Sequence, residues 1–369
     1  MFYHYRPFLP GEGENDYMRI FEGDRPMWDQ GRWWYRLAHV CQRWRNLILG
    51  SASYLGLSLV CTNGTPVESM LAHSPPLPLT VDYSGCYVTA KDLQGILLAL
   101  EKRDRVLHLC LSYRPSDLLK LGMAIDGEFP ILECLSLDAR VVSTILMLPR
   151  TFKAPNLRHL KLRCPQHPIP ILSQLHPASV GLVTLFLVES GYEHPNILLR
   201  WISFMPQLES LMIHFELPNF STHAPITTRI TLPNLRLFRF RGDSPYLEAI
   251  VHQMKTPLLK ILEIHLRCQS TFFVPHLVWF INRTVSPRFD NAKLVFKDNE
   301  IDVVMSSREA HTYIFSVTCH WEYPAVYIVA QICNALRQVL SAVEHFTFRR
   351  NHFRQYYLLA VARAPHGHS

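Results

Sequence analysis

A short pattern, L-x-x-L-x-L, recurs down this chain at nearly constant spacing, and it limits the folds available more than any other feature. It reads Val106-Leu109-Leu111, Leu132-Leu135-Leu137, Leu157-Leu160-Leu162 and Leu182-Leu185-Leu187. It goes on as Leu208-Leu211-Ile213, Leu235-Phe238-Phe240 and Leu259-Leu262-Ile264. Successive first positions differ by 26, 25, 25, 26, 27 and 24 residues. A proline often stands just ahead of the unit. Alternation within each unit predicts a short strand with one apolar face. Leu55-Leu57-Leu59 and Leu77-Leu79-Val81 read as earlier, degenerate units. Lys293–Phe296 and Val343–Phe348 read as later ones.

The spacers carry helical spacing. Thr89–Lys102 opens on a threonine cap and sets Leu93, Ile96, Leu97 and Leu100 on one side. The segments 116–125, 196–205, 246–254 and 325–343 read alike. One strand plus one helix per unit of about 25 residues predicts an α/β chain of the leucine-rich-repeat solenoid type. No unit can bury its own leucines, so neighbours must stack. Residues 297–324 break the period. There, IDVVMSS and TYIFSVTCHW read as a strand pair that closes the open apolar end.

Ahead of the repeats lies a different stretch, Trp33–Leu49, WWYRLAHVCQRWRNLIL. Trp34, Leu37, Val40, Cys41, Trp44, Leu47 and Ile48 fall at steps of three or four, which predicts one amphipathic helix stopped by Gly50. The plainest reading of such a stripe is a helix buried in its own domain. Trp44 and Arg45, however, are residue types that anchor interfaces. Residues 1–31 are broken by Pro7, Pro10, Gly11, Gly13, Gly23 and Pro26, with a short helix expected at Asn15–Phe21.

Trp34, Leu37, Val40-Cys41, Trp44-Arg45 and Ile48, followed by Ser51–Cys61, Thr65-Pro66-Val67 and Pro75–Leu79, resemble the second half of an F-box of the large fungal families. The resemblance implies that this segment binds the Skp-type adaptor of a cullin ubiquitin ligase. Its implied contact residues are Ile20, Phe21, Trp34, Leu37, Val40, Cys41, Trp44, Arg45 and Ile48. The first half departs from the family pattern, because Leu9-Pro10 and Ile20-Phe21 lie eleven residues apart rather than eight. The expected organisation is a small helical F-box-like segment at 1–52, the solenoid with an irregular C-terminal cap at 53–350, and a strand and loose tail at 351–369.

Chemistry is poorly represented. There is no HExxH, GxSxG, GxxxxGK[ST] or GxGxxG, and the 19 histidines and nine cysteines form no finger or CxxC spacing. No metal or other cofactor is expected, and no catalytic residue can be named. Three Asn-x-Ser/Thr sequons, at Asn63, Asn219 and Asn282, carry weight only in a secreted chain, and the N-terminus does not read as a signal peptide. Apolar runs are too short to span a membrane. A cytoplasmic or nuclear location is expected, without disulfides. The net charge of +7 is spread along the chain, which argues against nucleic acid as partner.

A binding face remains. Residues between the leucines point away from them, and in such a solenoid they line the concave side. The candidates there are His159, Lys161, Arg163, Phe186, Met212, His214, Arg239, Arg241, Glu263 and His265. Ordinary solvated strand residues would look the same. Their excess of positive charge suits an acidic or phosphorylated protein segment. Two readings stay open. One is a substrate receptor of a Skp-cullin-F-box ligase. The other is an interaction scaffold that no longer binds the adaptor.

Overall fold

The computed structural model describes residues 33–52, 54–84, 88–112, 118–139, 148–149, 151–163, 179–188, 195–215, 227–269, 274–284, 289–296, 300–307, 312–319, 330–334, 336–340 and 343–350. The helix expected at Asn15–Phe21, the positions Ile20 and Phe21, and the segment 351–369 lie outside them. The chain is α/β and forms two compact units, Met1–Glu193 and His194–Ser369.

The N-terminal unit begins with helices α1 (Trp33–Ala38) and α2 (Gln42–Gly50). Strands β1 (Leu59–Thr62), β2 (Leu79–Tyr83), β3 (Val106–Ser112), β4 (Cys134–Asp138), β5 (His159–Arg163) and β6 (Thr184–Val188) follow. All pair parallel, each with the next in the chain. Helices α3 (Val67–His73), α4 (Ala90–Leu100) and α5 (Leu118–Ala124) fall between strands, and α4 lies against β1 and β2. A parallel pair needs such a crossover, and the spacing near 25 residues leaves room for it. The register stacks like on like: Leu109, Leu135, Leu160 and Leu185 form one row, and Leu111, Leu137, Leu162 and Leu187 a second. All eight are at most 1% exposed. The first strand starts at Leu59, where the sequence pattern placed the end of a unit.

The prolines have a local role. At Phe129–Leu132, Ala154–Leu157, Met205–Leu208, Leu232–Leu235 and Thr256–Leu259 the fourth residue's amide donates to the first residue's carbonyl. Proline occupies the second place in each of these turns, where its fixed φ favours a tight turn. The first and fourth side chains are all buried. The turn therefore sets the strand's entry angle while it fills the core. Two asparagines in these turns reach back one unit: Asn156 Nδ2 donates to Pro130 O at 2.7 Å and Asn234 Nδ2 to Pro206 O at 3.0 Å.

The C-terminal unit contains α6 (Pro195–Ile202), β7 (Ser210–His214), β8 (Ile230–Thr231), β9 (Leu237–Gly242), α7 (Ser244–Val251), β10 (Met254–Lys255), β11 (Ile261–Gln269) and α8 (Pro275–Thr284). It continues through β12 (Asn291–Phe296), β13 (Glu300–Ser306), β14 (Thr312–Cys319), α9 (Arg337–Leu340) and β15 (His345–Arg350). Strands β7, β9 and β11 pair parallel in order, and β8 pairs with β10. The order then inverts. Strand β14 takes the parallel place beside β11, β13 runs antiparallel between β14 and β12, and β15 pairs parallel with β12. The strand pair expected in 297–324 is thus present, and it lies between β11 and β12. The core is aromatic here: Phe238, Phe240, Tyr246, Phe280, Phe289, Tyr313 and Phe315 are each at most 2% exposed.

Candidate functional site

Two surfaces carry the residues singled out by sequence: the α1–α2 pair and the strand face opposite the leucine rows. The α1–α2 segment is not one helix. His39, Val40 and Cys41 interrupt it, with Cys41 fully extended at φ −161° and ψ 168°. The three- and four-residue spacing survives across the break, so periodicity cannot reveal it. Arg45 Nε donates to Ala38 O at 3.1 Å and ties the second helix to the end of the first. Trp34, 4% exposed, stacks on Tyr35 at 4.1 Å and donates from Nε1 to Ser58 O at 3.3 Å. It fastens the pair to the chain leading into β1.

Of the implied adaptor contacts, Trp34 and Ile48 are buried, and Leu37 and Trp44 are half-buried. Cys41 and Arg45 are exposed, as is Val40 at 61%. Leu47 is 53% exposed and Tyr54 83%. Trp34 and Ile48 therefore hold the segment in place, whereas Val40, Cys41, Leu47 and Tyr54 form the apolar surface it presents.

On the strand face of the N-terminal unit, lateral register builds three rows. Thr80, His108, Cys134, His159 and Thr184 form one, and Asp82, Cys110, Ser136, Lys161 and Phe186 the second. Ser112, Asp138, Arg163 and Val188 form the third. The first row is largely shut off from water: Thr80, Cys134, His159 and Thr184 are each at most 5% exposed. Thr80 Oγ1 stands 3.3 Å from His108 Nδ1 and 3.2 Å from Ser58 Oγ. Burial pushes the His108 imidazole down from its ordinary 6.5 to about 4. The same cause, with the charge of Arg158 and His108, pushes His159 down to about 4. The Cys110 thiol is pushed well up by its hydrogen bond with Cys134 and by burial, which keeps it protonated and unreactive. Burial, then the neighbouring Arg163, lowers Lys161, whose ammonium lies 5.1 Å from the centroid of the Phe186 ring. Arg163 pairs with Asp138 at 3.7 Å.

The two histidines give this face a definite acid response. Their folded pKa values lie below 6.5, so between about 6.5 and 4 the unfolded chain binds more protons. Stability is complete above 6.5 and falls as pH drops through that window. Denaturant unfolding at pH 7 and pH 5 should show the loss, and His159→Asn should reduce it. An unchanged pH dependence in that variant would mean that His159 does not carry the effect.

On the C-terminal unit, Met212, Arg239 and Glu263 share a row, with His214, Arg241 and His265 beside it. Arg239 Nε and the Glu263 carboxylate form an ion pair across adjacent strands. Arg267 Nη2 stands 3.2 Å from His214 Nε2. Arg241 is exposed, His214, Arg239, Glu263 and His265 are half-buried, and Met212 is fully buried. Met212, His159 and Phe186 were expected to offer surface to a partner. They are buried instead. Arg163 and Arg239, expected to meet acidic groups of a partner, already face acidic groups of this chain.

Sequence reasoning missed Glu248 on α7. Its carboxylate accepts from the amides of His276 at 2.7 Å and Leu277 at 2.9 Å, capping α8. Burial raises the Glu248 pKa, against the pull of those two hydrogen bonds. The expected Thr89 cap is present as a reciprocal capping box with Asp92, which also accepts from Gly64 N at 2.8 Å. Among the described residues, no group of three or more His, Cys, Asp and Glu side chains is arranged to hold a metal ion. No helix among them is long and apolar enough to cross a membrane. Neither a protein family, nor a curated protein, nor a solved structure gives a significant match to this chain.

Proposed function

We propose that this chain is a non-catalytic substrate receptor, in which the α1–α2 pair docks on a Skp-type adaptor and a leucine-rich-repeat solenoid holds a protein substrate for ubiquitin transfer by other subunits of a cullin ligase. The observation that carries the reading is the exposure of Val40 and Leu47, with Cys41 and Tyr54, in and just after a short helical pair at the head of a parallel strand–helix array. Single apolar residues on a surface need no explanation, but four exposed within fifteen positions are a local concentration suited to a partner. The receptor performs no chemistry. It raises the substrate's effective concentration near the ligase, in the cytoplasm or nucleus.

The internal pairing of Arg163 with Asp138 and of Arg239 with Glu263 narrows the substrate surface. Arg241, exposed beside half-buried His265 and His214, is the most accessible cation for an acidic or phosphorylated segment.

Co-purification with a Skp-type adaptor tests the docking. The wild-type chain is expected to retain the adaptor, and the double variant Val40→Asp/Leu47→Asp to lose it while unfolding like wild type. Both positions are exposed, so the folded state should tolerate the change. The eleven-residue spacing of Leu9-Pro10 and Ile20-Phe21 favours the second reading, a scaffold without adaptor. Absence of the adaptor from wild-type material, or its retention by the double variant, would establish that reading or move the contact elsewhere.

A further inference from the structure

We propose that a cleft in the N-terminal unit binds a small apolar carboxylate. The cleft, of about 320 Å³, opens between α4, the turn that follows it and α5. Its walls are Leu97, Leu100, Met123 and Ala124, and Met123 is 63% exposed at the mouth. The volume lies at the low end of small-molecule sites, roughly 300–1,000 Å³, and an apolar lining with a few polar groups is their usual make-up.

The polar groups decide the class of ligand. A single 3-10 turn, Arg103–Arg105, carries two arginines with contrasting roles. Arg105 is tied to the backbone: Nε and Nη2 donate to Leu77 O at 3.0 and 2.9 Å, and Nη2 also reaches Pro75 O at 3.3 Å. Arg103 lines the cleft, and its Nε is buried with no hydrogen-bond partner. That atom is closed off from solvent, so it is the charge of Arg103 at the cleft wall, together with Lys120, that favours an anion. Gly127 adopts φ +119°, and a Cβ there would collide with Arg103 Nη1, so the glycine leaves room for the guanidinium.

Lys120 adds a second cation at the rim, and Glu101 is the one carboxylate among the lining residues. An anion with an aliphatic body therefore matches both halves of the cleft. A carboxylate suits the planar fork of Arg103. The inference does not depend on the receptor reading, since it uses neither the α1–α2 surface nor the strand face.

Octanoate and its uncharged isostere octanamide, titrated into the full-length chain and followed by ligand-observed NMR, form the test. Octanoate is expected to bind saturably with a Kd of about 0.1–1 mM, as suits so small a ligand. Octanamide should bind at least tenfold more weakly. Arg103→Gln should weaken octanoate at least tenfold and leave octanamide unchanged. If Arg103→Gln does not fold, Lys120→Gln replaces it, with an expected loss of about threefold for octanoate alone, from one solvent-exposed charge. Equal binding of the two ligands, unchanged octanoate affinity in the folded variant, or no saturable binding up to roughly 10 mM would overturn the proposal.

Discussion

Phe240→Ala should destabilise the C-terminal unit by about 3–5 kcal/mol, as truncation of a buried phenylalanine does. Phe240 is fully buried at the second apolar position of β9. Its ring meets Phe215 edge-on at 6.1 Å and 70°, and stacks with Tyr246 of α7 at 6.4 Å and 13°. Phe215 and Tyr246 also touch each other, at 4.7 Å and 72°. One residue thus joins a strand, its following helix and the end of β7, and aromatic pairing adds about 0.5–1.5 kcal/mol beyond area alone. Gly242 packs tightly against two of the rings and has no side chain to fill the space that truncation leaves. A Cβ there would fall 3.1 Å from Phe240 and 3.2 Å from Phe215. Phe240→Leu, which keeps most of the volume, should cost clearly less. The readout is denaturant unfolding followed by a probe in this unit, since two units need not melt together. A loss below about 1 kcal/mol would show that the three rings repack freely.

Leu160→Ala should cost the N-terminal unit about 2–5 kcal/mol. Leu160 is fully buried between Leu135 and Leu185 in adjacent strands, so its truncation leaves a hole with apolar neighbours on both sides. The informative comparison is Lys161→Ala, one residue further along. That side chain stands on the other face and is half-buried, and its loss should cost about 1 kcal/mol or less. Because side chains alternate across a strand, the two variants report which face is core. Equal costs, or a loss of only a few tenths at Leu160, would mean that the register differs from the one described.

The strands were legible in sequence because their signal is local and repeated. Alternating leucines and a proline at a fixed distance ahead recur often enough to fix both strand and turn. The cap of α4 was legible for the same reason, Thr89 and Asp92 being three residues apart. Features that depend on distant pairings were not. Glu248 reads as a surface residue until α8 brings its amides alongside, 28 and 29 positions later. Met212 and His159 alternate like exposed residues, yet both are buried in the folded chain. Cys41 keeps the helical spacing of its stripe while its own backbone is extended. Asp138 and Glu263 were visible as acids, but only register shows that each meets an arginine of the next or preceding strand. The charge excess read along the sequence therefore overstates what the surface offers.

The inverted strand order in the C-terminal unit bears on how the chain folds as it is synthesised. Strands β7, β9 and β11 can each dock on the one before as they leave the ribosome. Strand β12 cannot, because its described partners, β13 and β15, both emerge later, and β14 stands between that pair and β11. Strand β12 stays unpaired until β13 has emerged, and the β12–β13 pair joins β11 only through β14, which ends 23 residues after Phe296 at Cys319. A nascent chain halted near residue 300 would thus display an unpaired apolar strand together with the open edge of β11, a combination that invites association with other chains.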